Sequence, residues 1–291
     1  MNINLYLPFI ISGLGIGAVY ALSGVGLVIL YRATGVLNFA FGAIGAAGAF
    51  VGWQLMDMDW PLAVAIIAGV GVSTLISFLY GRFLAPLLAY RDPVVRAVGT
   101  LALAMVLMGA IGLIWGNVPK RMTFPTDRMF LDLFGVRFTY TRIIAIALAL
   151  AMVIGVTTLL TTTRLGLYMR SLANDRDLSS ILGVPVLKTE TAAWVMTGLF
   201  AGFAGLLLAD LLRVEAVFLT FMVIPAIAAA VLGQLRSLWV TLIAGFGVGI
   251  VEAVLTVVQP VSNYRTMAPY LIAVLAVMAL SFLGSASAKD R

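Results

Sequence analysis

The chain has 291 residues, 63% hydrophobic and only 10% charged, with a formal net charge of +6. Its mean hydropathy of +1.12 lies outside the range of soluble domains and points to an integral membrane protein. Cysteine and histidine are both absent, so disulfides, thiol ligands and the commonest general base and metal ligand are excluded, and redox chemistry, zinc sites and serine–histidine hydrolysis become poor candidates.

A helix needs about 20 apolar residues to cross the hydrocarbon core. Such runs lie near residues 5–30, 36–56, 61–81, 97–116, 142–162, 191–209, 217–235, 238–258 and 267–283. Barrel strands would instead alternate apolar and polar over about ten residues. The expected fold class is therefore all-α, a polytopic transmembrane helical bundle of eight or nine segments forming one membrane domain over residues 1–291. No secretory leader is expected, because the first basic residue, Arg32, follows a long apolar span rather than preceding it.

The first segment carries Gly13, Gly15 and Gly17, with Pro8 in its first turn, where a missing N–H costs little. The second, VLNFAFGAIGAAGAFVGWQLM (36–56), is so rich in Gly and Ala that it offers lipid little contact. Close helix packing accounts for such a composition. A broken or re-entrant segment around Asn38 to Gly42 is also open, since irregular backbone survives at membrane depth only against protein or a water-filled cavity. The stretch GNVPKRMTFPTDRMFLDLFGVRFTYT (116–141) could cap the outer face or receive an external partner, but reads rather as an ordinary external loop anchored by Phe and Tyr.

Residues 164–185, RLGLYMRSLANDRDLSSILGVP, hold three arginines and two aspartates between two lipid-soluble runs. Asn174 or Asp175 is a good N-cap, DLSSIL supplies one or two helical turns, Gly183 suits the left-handed position after a helix, and Pro185 forbids continuation. Leu178, Ile181 and Leu182 share one face of that short helix. It should therefore dock, either on the protein's own surface or in a groove on a soluble partner, because so short a helix is marginal in water.

Further on, Pro225 in FLTFMVIPAIAAAVLG should kink or interrupt its helix. Glu252 is a carboxylate well inside a span; such groups are costly and face the bundle interior or a pathway, so it is either interhelical glue or part of a route. Gln54, Gln234 and Gln259 are the other strongly polar side chains near spans. With the N-terminus outside, eleven basic residues fall on the inner side and seven on the outer, five of the seven within 117–142. That bias favours an N-out, C-in arrangement and explains a pI near 9.8 without nucleic-acid binding.

The stretch TRLGLYMRSLANDRDLSSILGVP (163–185) resembles the cytoplasmic loop of ABC-importer permeases of the branched-chain amino acid family. LYRATGVLNFAFGAIGAAGAF (30–50) is similar to that family's glycine-rich second segment, and PAIAAAVLGQLRSLWVTLIAGFGVGIVEAV (225–254) to its C-terminal turn and glutamate-bearing helix. The blocks stand in the family's order over most of the chain, and the first of the two sister permeases is the better match. Two departures are visible: Phe41 stands where the family often has histidine, and GQLRSLWV replaces a turn usually rich in glycine and proline.

The resemblance implies a permease domain in a bacterial cytoplasmic (inner) membrane, with a coupling loop at about 164–190. It is then no enzyme: it has no catalytic or metal site, and the sequence holds no GxxxxGK[ST] phosphate loop. ATP with magnesium would act on separate ABC ATPase subunits. The other implied partners are a second permease, similar or identical, an external or periplasmic solute-binding protein, and the lipid bilayer. Arg170, Ala173, Asn174, Asp175 and Gly183 would meet the ATPase, while Asn38, Gly42 and Glu252 are the candidates for the pathway. Branched-chain or other small amino acids are the implied cargo; urea, short amides or another small organic solute are the alternative within the family. An ion-coupled secondary transporter is the rival outside it, but it would need several intramembrane carboxylates or unwound helices.

Overall fold

The computed structural model describes residues 3–133, 136–257, 262 and 267–289. It is a helical bundle. Its long elements are α1 (Ile3–Thr34), α2 (Phe41–Asp57), α3 (Leu62–Leu79), α5 (Pro93–Trp115), α6 (Tyr140–Thr162), α9 (Val186–Leu211), α12 (Leu238–Leu255) and α13 (Ala268–Lys289). α3 runs on through a π-helical turn, Tyr80–Leu84, into α4 (Ala85–Leu88). The short elements are α7 (Arg164–Asn174), α8 (Arg176–Ile181), α10 (Ala216–Phe221) and α11 (Val223–Leu232). Among the described residues six helices are long and apolar enough to cross a membrane.

Two of the segments expected from sequence are not continuous spans, each for a physical reason. In the second, helix begins only at Phe41, whose ring packs on Gly26 of α1. α1 itself continues eight residues past Gly26 to Thr34, about 12 Å at 1.5 Å per residue. Residues 35–40 therefore double back along the bundle without helix, with Asn38 and Ala40 fully buried. Much of their backbone is satisfied by side chains of the link, of α1 and of α5. Val36 N donates to Thr34 Oγ1 (3.2 Å), Ala40 N to Asn38 Oδ1 (3.0 Å) and Phe39 N to Thr100 Oγ1 on α5 (3.1 Å). Arg96 Nη1 donates to Thr34 O (3.0 Å). Such satisfaction is what permits irregular backbone away from water.

The other interruption is at residues 217–235. α10 stops at Phe221 and α11 starts at Val223. Pro225 has no N–H for the carbonyl of residue 221, and its ring crowds the turn before it. After α11 the turn at 233–237 places Gln234 and Leu235 at φ 54°, a left-handed conformation that side chains rarely adopt. Hydrogen bonds from Leu235 N to Ala230 O (2.9 Å) and from Gln234 N to Val231 O (2.8 Å) hold it.

α1 and α9 form the centre. Of the most apolar 18 residues of each helix, 89% are buried in α1 and 78% in α9, against 17% in α5. Small residues set these contacts. Gly13 and Gly17 of α1 lie on the backbone of α12 at Gly245, Phe246 and Gly249, and Gly45 of α2 lies on the backbone of α9 at Ala201 and Gly205. Hydroxyls cross the same seams. Thr197 donates to Gly26 O (3.1 Å), Ser73 to Ile44 O (2.9 Å) and Ser77 to Trp194 O (2.6 Å). In lipid, where apolar burial gives helices no net attraction, close approach and interhelical hydrogen bonds supply the association.

Residues 116–141, for which the sequence favours an ordinary loop over a cap on the outer face, form a built cap. They hold a 3-10 turn (Pro125–Arg128) and an antiparallel hairpin of β1 (Phe130–Leu133) and β2 (Val136–Thr139). Met122, Phe124 and Phe138 are buried beneath it. Lys120 and Val214 exchange backbone hydrogen bonds of 2.9 and 3.0 Å, and Phe124 N donates to the Asp210 carboxylate at the end of α9 (2.6 Å).

The seam between α1 and α12 gives a paired test. A Cβ on Gly249 would run into the backbone of Gly17, whereas one on Gly247 meets nothing within 4 Å. Gly249→Ala should lower the melting temperature of the detergent-solubilised protein by several degrees, from an overpacking penalty of about 1–3 kcal/mol. Gly247→Ala should leave it unchanged or raise it slightly, as alanine is the better helix former. Equal melting curves would contradict this packing.

Candidate functional site

The polar region at 163–190 is more structured than its sequence suggested. α6 gives way directly to α7, capped by Thr163, whose Oγ1 accepts from Gly166 N (3.4 Å). Gly166 sits on the backbone of Leu160, so the chain folds back tightly at that point. Met169 and Leu172 are buried, laying α7 against the bundle. Their helical spacing with Gly166 was a signal available in the sequence for this second helix.

Asp175, not Asn174, caps α8, its Oδ1 accepting from Leu178 N (2.9 Å). The helix ends with Gly183 at φ 84°, Gly183 N donating to Ser180 O (3.1 Å) and Val184 N to Ser179 O (3.0 Å). That is a Schellman ending, which requires a left-handed residue where glycine stands. Arg170, Ala173, Asn174, Asp175 and Gly183 are all exposed at this end of the molecule. Leu178, Ile181 and Leu182 are 51%, 82% and 74% exposed. The apolar face is thus not docked on the protein's own surface.

What holds α8 is a contact that sequence reasoning missed. Arg176 Nε bonds to Glu190 Oε1 at 2.8 Å, and Nη2 reaches Oε2 at 3.4 Å. The guanidinium also lies 5.0 Å over the Tyr90 ring. Glu190, in the second turn of α9, is buried. Its hydrogen bonds are the main reason the Arg176 guanidinium is held above its ordinary pKa. Nothing local ties residues fourteen and eighty-six positions apart, so only the folded chain reveals the clamp.

The pathway candidates separate. Glu252 of α12 lines a cavity of about 580 Å³ bounded by α1, α10 and α12, and accepts a hydrogen bond from Tyr20 Oη (2.9 Å). Gly42 lies behind that cavity, on the backbone of Leu219 and Thr220; Phe218 and Met222, beside them in the chain, line it. Asn38 belongs to neither feature. Its Oδ1 caps the 35–40 link, and among the described residues its Nδ2 has no partner. Gln54 accepts from Trp115 Nε1 (3.0 Å), a purely structural bond, and Gln259 lies outside the described residues. Among the described residues there is no group of acidic, histidine or cysteine side chains able to hold a metal.

This arrangement, a lipid-facing bundle with a clamped, apolar-faced helix at one end and a carboxylate-lined cavity within it, is that of a membrane permease. The family model for the permease component of branched-chain amino acid transport systems matches residues 9–283, and the chain belongs to that family. It is 28% identical over 251 residues to the Methanocaldococcus jannaschii protein named "probable branched-chain amino acid transport permease protein LivH", covering 81% of this chain and 76% of that one. It is 26% identical over 300 residues to LivH of Escherichia coli K12, the high-affinity branched-chain amino acid transport system permease protein, covering 96% of each. Among solved structures it is similar to PsaBC from Streptococcus pneumoniae in complex with Fab, at 16% identity and a TM-score of 0.47 over 94% of this chain and 89% of that one.

The clamp is open to direct test. Arg176→Ala leaves a buried carboxylate unpaired, a loss of up to about 3 kcal/mol, at the low end for buried pairs because Arg176 is partly exposed. Amide exchange at residues 176–190 should accelerate while that of α1 stays unchanged. Unchanged protection of α8 would show that the ion pair does not hold it.

Proposed function

We propose that this chain is the membrane-spanning subunit of an ATP-driven importer, moving branched-chain or other small amino acids from an external solute-binding protein to the cytoplasm. The observation that carries the reading is α8. A helix of six residues that is capped at both ends, clamped to α9, and still presents Leu178, Ile181 and Leu182 outward has the form of a plug for a groove on another protein. Family membership and the names of the relatives support the cargo class.

On this reading ABC ATPase subunits hold ATP and magnesium and bind the face formed by Arg170, Ala173, Asn174, Asp175 and Gly183 together with the α8 leucines and isoleucine. A second permease, similar or identical, completes the route. The chain lies multi-pass in the cytoplasmic membrane, N-terminus outside and C-terminus inside, so that α7 and α8 face the ATP pool. Nucleotide-driven closure pushes α8, and the Arg176–Glu190 clamp passes that displacement to α9. Only the energy difference between the two permease conformations can be biased in this way.

The tagged chain, extracted gently and examined by mass spectrometry, should bring soluble ATPases with it. Replacing Asp175 by Ala and Gly183 by Val should remove them while the protein stays monodisperse, since the first loses the cap and the second forces a β-branched residue into left-handed backbone, together about 2–3 kcal/mol. An intact protein free of any ATP-binding subunit would refute the importer reading. Sidedness has a clean test because the chain contains no cysteine. In intact cells Arg128→Cys should react with an impermeant maleimide and Ile181→Cys should not; the reverse pattern would invert the arrangement.

A further inference from the structure

Two hollows on the outside of the bundle join into one groove along the seam of α3 and α9. The larger, about 780 Å³, lies between the end of α3, α6, α7 and the start of α9. Arg82 and Lys188 border it, and its lining includes no carboxylate. The second, about 510 Å³, continues from the first, since Phe78 and Val195 line both. Beyond them the wall is formed by Gly71, Leu75, Leu199 and Phe203. The hydroxyls along the groove are already used: Thr191 donates to Leu187 O (2.6 Å) and Thr74 to Val70 O (2.7 Å).

The shape follows from residue spacing. Gly71, Leu75, Phe78 and Arg82 stand three or four residues apart along α3 and its π-helical turn, and Lys188, Ala192, Val195, Leu199 and Phe203 do so along α9, so each set forms a stripe on one helix face. Both stripes end in a cation at the same end of the groove. Behind it the helices touch directly, Gly198 and Gly202 lying on the α3 backbone at Thr74 and Val70. A Cβ on Gly71 would meet nothing within 4 Å, so that glycine leaves the trough open. Gly81 lies on the Trp194 side chain, which seats the π-helical turn on α9 and brings Arg82 to the hollow of Lys188. Single π turns inside helices are frequent at functional sites.

Arg82 and Lys188 are exposed, and among the described residues neither enters an ion pair. Basic residues flank many spans; these two border one hollow with an apolar trough behind it. From Lys188 to Phe203 the groove runs about 22 Å at 1.5 Å per residue. One leaflet of a bilayer about 40–45 Å thick with its headgroups has that length. Basic pockets between transmembrane helices suit anionic headgroups.

We propose that the groove binds one anionic phospholipid, its phosphate held by Arg82 and Lys188 and an acyl chain laid along Gly71, Phe78, Val195 and Leu199. The bound lipid bridges α3 and α9 at the end where Glu190 holds α8. Such a site requires only that the chain lies in a bilayer, whatever solute it passes.

The tagged chain, with whatever subunits accompany it, is delipidated in detergent and given phosphatidylglycerol or phosphatidylcholine of identical acyl chains. Native mass spectrometry counts the lipids retained. One phosphatidylglycerol should bind at least about tenfold more tightly than phosphatidylcholine, given about fivefold for each basic residue near an anionic lipid surface. The double variant Arg82→Gln, Lys188→Gln should erase that preference. Gly71→Trp, which fills the trough, should weaken binding although both charges remain. Arg236→Gln, exposed and outside both hollows, should change nothing. The charge variant lies at the surface and carries the test if Gly71→Trp fails to fold. Equal retention of the two lipids would overturn the site, as would an unchanged preference in the monodisperse double variant or unaffected binding in Gly71→Trp. Displacement of the lipid by an equal concentration of glycerol phosphate would also overturn it, because the trough would then be idle. A dimer of the chain that Gly71→Trp dissociates would assign the groove to a second copy instead.

Discussion

Close backbone contact between helices is the constraint on which the rest of this structure depends. Lipid gives apolar side chains no reason to leave it, so the bundle holds together only where helices approach nearer than side chains normally allow. Glycines of α1 against α12, and of α2 against α9, provide that approach. They make α1 and α9 the buried centre and leave α3, α5 and α6 as the lipid-facing rim. Because α12 is pinned along α1, Tyr20 and Glu252 meet across the seam although they stand 232 residues apart. The cavity is thus a product of the packing rather than an addition to it.

The two broken segments follow from the same economy. In the link at 35–40 the Asn38 oxygen and Thr100 accept from backbone N–H groups that no helix pairs. The break at Met222 turns α10 so that its backbone covers Gly42 while Phe218 and Met222 reach the cavity. Irregular backbone here is confined to places surrounded by protein, as the membrane requires.

Class, fold and the α8 signals were legible in the sequence because each is local. Hydropathy gave the bundle; Asp175, Gly183 and Pro185 gave the start and end of α8; Pro225 gave an interrupted helix. The clamp of Arg176 to Glu190, the partnership of Tyr20 with Glu252 and the meeting of Arg82 and Lys188 at one hollow were not legible, since each joins elements whose adjacency is decided by packing. Residues 116–141 stood between loop and cap for a related reason. Their aromatics fit a lipid interface as well as a folded cap, and only the hydrogen bonds of Lys120 with Val214 and of Phe124 with Asp210 distinguish the two. Asn38, which stood out as a polar group in a glycine-rich run, proved to be an internal cap. The same polarity that suggests a route also serves to tie down backbone.

One consequence of the clamp concerns mechanics. Glu190 stands near the first end of α9, and Asp210, which grips the cap through Phe124 N, stands near the last. Twenty-six residues make α9 a rod of about 39 Å, fastened at both ends to the parts that face opposite sides of the bilayer. A tilt of about 5° pivoting at one end carries the other through roughly 3 Å for a rod of that length. If α8 is the coupling element proposed above, α9 is its lever, with a handle at α8 and a load at the cap.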